Sequence, residues 1–485
     1  MTSGYEQTLN LLNKEIKKEN KATRNRIQSI LLDNRFLSEH VLTVFPDFPV
    51  IPNERCGLWY CKPGSFNQTS YFKSTDGHTN QWDFSLRRLN LHLLPTLAKN
   101  GGIVVVDSTR RGKKLPDALS KTVPIWCAVL NSLMLEHLGR EDEEVLFCPP
   151  GTVSKQEYTQ IKAKIPSLVT KFKAINAISG AELARLFRGK ILRPLWVYPG
   201  SSLLNAQHDL FTGEIVNVKW ESPETETIIP IVLCAVSYQC QDGVDNRHGF
   251  TYVQGAADDH ELWSEGLTAD LLWENVSTLG DLTLSDQRIR DFITAQTELK
   301  RNNTSASNAL DDLISTDILT PELHIGKIVE PLRLKKDLQD QLLATYSFVV
   351  ILSEHAEVVR DATATPSDPS YNPAITIVKL SSGSKKSSKS LRTTLTDICP
   401  LAESHLNDAL PILICCGDGK DMSVSVLLSL LCRNYNLETW KLEQQPHAID
   451  KTIIKRHLFK MISTLNGRNI NPPRASLNSV NAYLM

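Results

Sequence analysis

Residues 412–432 read "ILICCGDGKDMSVSVLLSLLC": an apolar run, a polar loop with two glycines, and a second apolar run. The first run suits a buried strand and the second a helix. The turn between them aims backbone N–H groups at any anion above it. With Cys416 just after the strand, the loop is Cys416-Gly417-Asp418-Gly419-Lys420-Asp421-Met422-Ser423. A phosphate-hydrolysing cysteine loop needs an arginine at the seventh position, where a planar fork grips two phosphoryl oxygens. Met422 stands there. It is no Walker loop either, because neither the leading glycine nor a Ser or Thr after Lys420 is present. The expectation is a cradle that binds phosphate and hydrolyses its esters poorly. The alternative is a tight turn with a solvated lysine.

Outward from this loop, "YSFVVILS" (346–353) reads as a strand. "TIVKLSSGSKKSSKSLR" (376–392) reads as a strand followed by a basic loop with Lys385, Lys386, Lys389 and Arg392. Residues 393–409 look helical. The last third therefore alternates strand and helix, as a parallel α/β domain does. Residues 322–345 look helical, and "KRNNTSASNALDD" (300–312) is polar enough for a linker. The predicted division is an α/β domain over 1–300, a linker and connecting helix over 301–340, and a second α/β domain over 341–485.

The first half holds three candidate constellations. "YFKSTDGHTNQWDFSLRRLNLHLLP" (71–95) has a polar turn, with Lys73, Ser74, Thr75, Asp76, Gly77 and His78, ahead of a predicted helix. That helix would carry Trp82, Leu86, Leu89 and Leu93 on one face, with Arg87 and Arg88 beyond. A turn feeding a helix N-terminus can seat an anion, and His78 could donate a proton. The alternative is a well-capped amphipathic helix. "GGIVVVDSTRRGKK" (101–114) is a β-branched strand ending in Asp107, then a loop with Arg110, Arg111, Lys113 and Lys114. A carboxylate leaving a strand end is where α/β folds bind sugars and metals. The cations repel one another unless polyanion or water is near, so phosphate is the expected partner and a solvated basic loop the alternative. "YVQGAADDHELW" (252–263) offers Asp258 and Asp259, which could hold Mg²⁺ or cap the next helix.

The remaining bounds are coarse. With 485 residues, 41% hydrophobic and 22% charged, the chain is expected to form two or three soluble globular domains. A net charge of −1 leaves any nucleic-acid surface to local clusters, such as the run Lys14, Lys17, Lys18, Lys21, Arg24 and Arg26 on a predicted helix over 5–32. The start lacks a secretory apolar core, and "IIPIVLCAVSY" (228–238) is short for a membrane span, so no membrane partner is expected. Ten cysteines without paired zinc spacing suggest free thiols in a reducing compartment, cytosol or nucleus.

Together and in order, "YFKSTDGHTNQWDFSLRRLNLHLL", "GGIVVVDSTRRGKKLPDALSKTVPIWCAVLN", "YVQGAADDHELWSEGLT", "ICCGDGKDMSVSVLLSLLC" and the ending "NPPRASLNSVNAYLM" closely resemble the fungal and plant initiator tRNA 2′-O-ribosyl phosphate transferases. The resemblance covers most of the chain. It implies a cytoplasmic pentosyltransferase that moves phosphoribosyl from phosphoribosyl diphosphate, with Mg²⁺, to the 2′-OH of adenosine 64 in the T-stem of initiator methionine tRNA. It implies no DNA partner. It also implies a C-terminal dual-specificity-phosphatase-like domain, matching the cradle at Cys416–Ser423. On that reading Asp76, His78 and Asp107 are catalytic candidates. Lys73, Ser74, Thr75, Gly77, Arg110, Arg111 and the cradle would hold phosphate or donor. Arg87, Arg88, Lys113, Lys114, Lys385, Lys386, Lys389 and Arg392 would face tRNA. The rival readings are an atypical cysteine phosphatase and a non-catalytic tRNA-binding factor.

Overall fold

The computed structural model describes the chain outside residues 1–21, 55, 74–81, 87, 111, 176, 205–206, 209–214, 217–219, 221–225, 305–309, 360–371, 438, 444–447, 466–467, 469 and 471. It divides into two compact units, Met1–Thr297 and Glu298–Met485.

The first unit is built on a four-stranded parallel sheet in the order Val50–Pro52, Ile103–Asp107, Ile228–Ala235, Ile191–Val197. The two central strands are continuous apolar runs because helices cover both faces, as parallel sheets require. Each fully buried Val, Ile or Leu there contributes about 1.5–3 kcal/mol, which outweighs any local preference. Val123–Leu138 is a core helix. The longer stretch Ala118–Leu138 has the length and apolarity to cross a membrane, yet 89% of its window is buried inside the protein.

The predicted helix over 82–93 is replaced by an irregular segment, and the helix begins only at Leu93. Tertiary bonds override the 3.6-residue pattern here. Trp126 Nε1 donates to the Leu89 carbonyl at 2.7 Å, and Trp82 Nε1 donates to Glu157 at 2.9 Å. Asn90, in the left-handed region at φ 51°, accepts from the Tyr71 N–H.

In the second unit a five-stranded sheet runs Ile375–Val378, Phe348–Leu352, Ile412–Cys416, Leu323–Ile328, Ile314–Ile318. The first four strands are parallel and the last is antiparallel. Ile414 pairs with Val350 on one side and Ile325 on the other, so the quoted stretch is the central strand. Two expectations are corrected. The segment 301–340, read as a linker and connecting helix, supplies two strands of this sheet, and the helix expected over 322–345 starts only at Lys336. The basic segment after the Ile375–Val378 strand is no loop, because the helix Lys385–Ser404 begins within it, with Ser384 Oγ accepting from Ser387 N as its N-cap.

Candidate functional site

The carboxyl edge of the first unit's sheet gathers three chain segments. Asp107 ends the Ile103–Asp107 strand and is 1% exposed. Both of its oxygens accept hydrogen bonds: Oδ2 from Asn53 Nδ2 at 2.8 Å and Oδ1 from Ser108 N at 2.8 Å. Asn53 follows the neighbouring strand and also grips Phe72, donating to its carbonyl at 3.0 Å and accepting from its N–H at 2.8 Å. The carboxylate is thus held in one orientation before any ligand arrives.

The second segment is the turn after the Phe250–Val253 strand. Gly255 has φ 66°, and a Cβ there would lie 2.9 Å from both the Thr109 carbonyl and Arg110 Cβ, so only glycine lets the two loops meet. Gln254 clamps the basic loop. Its Oε1 accepts from Gly112 N and Cys240 N, each at 2.9 Å, and its Nε2 donates to the Lys113 carbonyl at 2.7 Å. Arg110 then faces the acid pair, with Nη1 2.5 Å from Asp259 Oδ2 and Nε 3.6 Å from Asp258 Oδ2.

The third segment starts the short helix Gly57–Tyr60. Cys56 Sγ donates to Asp258 Oδ1 at 2.7 Å, and the buried Tyr60 hydroxyl accepts from Ala257 N at 3.2 Å. Burial pushes the Tyr60 hydroxyl well above its ordinary pKa, so it stays a neutral fixed dipole. Arg26 donates to the Ala256 carbonyl at 2.7 Å with its guanidinium 5.3 Å from the Trp263 ring centre. Burial lowers its pKa, against smaller opposing pulls from nearby acids.

A buried acid with fixed lone pairs and, three residues on, a half-exposed guanidinium share the edge where parallel sheets bind ligands. The acid can accept a proton or stabilise a cationic sugar. The guanidinium can neutralise a phosphate group.

Of the sequence candidates, Asp107, Arg110, Asp258 and Asp259 come together here. Lys113 and Lys114 flank them and are exposed, Lys113 lying 3.8 Å from Asp117 and Lys114 5.8 Å from the Tyr198 ring centre. Lys73 is exposed, its carbonyl accepting from Thr122 Oγ1 at 2.9 Å. Arg88 stacks 3.2 Å from the Tyr71 ring centre. Ser74, Thr75, Asp76, Gly77, His78, Arg87 and Arg111 lie outside the described residues, as do Lys14, Lys17, Lys18, Lys21 and the Lys385 side chain. Arg24 and Arg26, read as a basic face, are internal staples to the carbonyls of Gly249, Leu282 and Ala256. Asp259 gives no side-chain cap to the short helix after it, and the acid pair is engaged by Arg110 and Cys56. Among the described residues no three His, Cys, Asp or Glu side chains gather as a metal cluster. Asn53, Tyr60 and the clamping role of Gln254 had no sequence signal, since each acts across more than 50 positions.

The cradle in the second unit is partly filled by its own side chains. Two of its amides are taken: Asp418 Oδ1 accepts from Lys420 N at 2.9 Å and from Asp421 N at 3.3 Å. The Cys416 thiol lies 3.1 Å from both Asp418 Oδ1 and Ser423 Oγ. Burial first, then the Asp418 charge, push this thiol above its ordinary pKa, opposite to what a nucleophilic cysteine needs. Met422 is fully buried, and the Glu330 carboxylate lies against Gly417. A phosphate brought to this loop meets resident carboxylates. Hydrolysis of para-nitrophenyl phosphate by the purified protein is therefore expected to equal that of its Cys416→Ser variant; a rate at least tenfold above the variant's would restore the phosphatase reading.

The family description "Rit1 N-terminal domain" matches residues 16–298, and "Rit1 DUSP-like domain" matches residues 374–484. The chain belongs to the Rit1 family. It is 53% identical, over 489 residues, to the "tRNA A64-2′-O-ribosylphosphate transferase" of Saccharomyces cerevisiae, covering 99% of this chain and 95% of that protein. It is 33% identical to an uncharacterized protein of Schizosaccharomyces pombe, covering 95% of this chain and 94% of that one. Among solved structures, human DUSP28 is matched at 14% identity and a TM-score of 0.24, over 35% of this chain and 92% of that chain. The Rit1 N-terminal match thus spans the unit that carries Asp107 and Arg110, and the phosphatase-like match spans the cradle.

Proposed function

We propose that this Rit1-family chain transfers a 5-phosphoribosyl group from phosphoribosyl diphosphate to the 2′-OH of adenosine 64 in the T-stem of initiator methionine tRNA. The tRNA 2′-oxygen attacks ribose C1′ of the donor, the bond from C1′ to the diphosphate oxygen breaks, and the electron pair leaves with the diphosphate. The 2′-OH proton passes to a base. The observation that carries this reading is the buried, fixed Asp107 at a sheet edge with Arg110 three residues on, in a chain so close to a named ribosylphosphate transferase.

Asp107 is assigned to the reacting sugar, as base or as stabiliser of the oxocarbenium-like state. Arg110 is assigned to the leaving diphosphate, with Lys113 and Lys114 supplying further positive charge. Mg²⁺ enters with the donor as part of the substrate. Such an ion is satisfied by one or two carboxylates plus phosphate oxygens and water, a demand that Asp258 and Asp259 fit without a larger cluster. A bulky phosphate in the T-stem would keep the product from the elongation machinery and reserve it for initiation. All ten cysteines are free thiols, which suits work in the cytosol.

The test is incubation of the full chain with labelled phosphoribosyl diphosphate, Mg²⁺ and either initiator or elongator tRNA. Label is expected on initiator tRNA alone. Tight tRNA binding without any transfer would replace this reading with a non-catalytic factor.

A further inference from the structure

The loop Cys416–Ser423 has the form of an anion seat that is filled from within, and its carboxylates reach outward, Asp421 bonding Ser476 of the C-terminal helix. Asp418 Oδ1 accepts from Ser382 Oγ at 2.9 Å as well as from the loop's own amides, and Asp421 Oδ2 accepts from Gly383 N at 3.0 Å. Ser382 and Gly383 are the turn that starts the helix Lys385–Ser404. The same helix end is tied twice more. Ser381 N donates to Ser387 Oγ at 2.9 Å, and Ser388 meets the C-terminal helix through Ser476 Oγ at 3.1 Å and Ser479 Oγ at 2.5 Å.

What this fastening holds up is positive. Lys386, Lys389 and Arg392 are exposed, three residues apart along one side of the helix, and in no ion pair among the described residues. The helix has no acid before Asp397. Lys386 stands in the first turn, at the positive end of the helix dipole, where a cation is unfavourable, and the neighbours at i, i+3 repel. A partner with negative charge relieves both costs.

Ser390, Thr393 and Thr396 are exposed among the cations. A face of hydroxyls and cations without apolar anchors matches phosphate oxygens, whereas a membrane surface calls for apolar side chains beside the charges. We infer that the phosphatase-like unit holds the phosphate backbone of tRNA on this helix face, and that the Cys416–Ser423 loop is the clasp that fixes the face in place. The inference rests on the tRNA reading above. It assigns the second unit a substrate-holding role and leaves the chemistry to the first.

The test is binding of unlabelled full chain to initiator tRNA over a salt series, which needs no donor and so is independent of transfer. The triple variant Lys386→Gln, Lys389→Gln, Arg392→Gln is expected to lower the slope of log K against log salt by about 2–3, roughly one for each lost phosphate contact. Affinity at low salt should fall about tenfold or more. Asp418→Ala supplies a readout of opposite sign. Removing an acid near a polyanion site strengthens binding if only charge matters, whereas loss of the clasp weakens it. Weakening is expected, with recovery in Asp418→Asn, which keeps an acceptor oxygen for the loop. An unchanged salt slope in the folded triple variant, or tighter binding by Asp418→Ala, would overturn the inference even if label transfer succeeds. Failed transfer with the expected slope change would overturn the enzyme reading alone.

Discussion

Asp107→Asn is expected to reduce ribosyl phosphate transfer by about 10²- to 10⁴-fold, the range lost with a positioned acid or base. The substitution keeps shape and removes charge, and the geometry shows what else it disturbs. Both Asp107 oxygens accept, from Asn53 Nδ2 and from Ser108 N. An asparagine offers one oxygen and one NH₂, so one of those donors faces another donor. That mismatch costs about 1–3 kcal/mol of stability, which at roughly 2–4 °C per kcal/mol for a large domain leaves the protein folded at 25 °C. Stability and chemistry then separate cleanly. Turnover per folded molecule falls by orders of magnitude if the carboxylate touches the reacting sugar, and stays near wild type if Asp107 only organises the strand end. Asn53→Ala loosens the carboxylate without neutralising it and should cost about tenfold. Equal losses in the two variants would make Asp107 a structural residue.

The strand from Ile103 to Asp107 and its basic loop were legible because a β-branched run flanked by glycines has few other readings, and an acid at its end is a local signal. The partners of that acid were not legible. Asn53 meets Asp107 across 54 positions, and around them Cys56 meets Asp258 across 202 and Gln254 meets Lys113 across 141, so only the sheet order could bring them together. The irregular segment 82–92 failed for a related reason, since its helical period is real but Trp126 donates to its Leu89 carbonyl and Glu157 accepts from its Trp82 ring N–H. The strand Leu323–Ile328 was read as helix because its apolar residues match both periods over so short a run. At the cradle, the strand, turn and helix were legible, and the bonds within the loop were not. Whether loop amides serve a ligand or the loop's own Asp418 depends on one side-chain rotamer, which no sequence pattern encodes. The serine that caps the basic helix, Ser384, is a local signal in the sequence.

Arg110→Ala is expected to lower kcat/KM for the donor by about 10²- to 10³-fold, the loss found when one preorganised charge-stabilising donor is removed. Its structural cost is small by contrast. The side chain is 42% exposed, and its 2.5 Å contact with Asp259 is a surface pair, the kind worth about 0–1 kcal/mol. A large catalytic loss with a nearly unchanged melting temperature is therefore the signature of contact with the diphosphate. Arg110→Lys sharpens the test. Lysine restores the charge without the planar fork that takes two phosphate oxygens at once, so partial recovery is expected, within about tenfold of alanine. The acid pair sets the direction of a further change. In the free protein Asp258 and Asp259 hold the guanidinium over the loop. If a magnesium–diphosphate bound here, the carboxylates would take the metal and the guanidinium would take a phosphate group. Asp259→Asn should then weaken donor binding less than Arg110→Ala does, because only one of the two exchanged pairs is lost. If Arg110→Ala transfers label at the wild-type rate from limiting donor, the diphosphate leaves along another surface, and the pairing of Arg110 with the two aspartates is only a loop fastening.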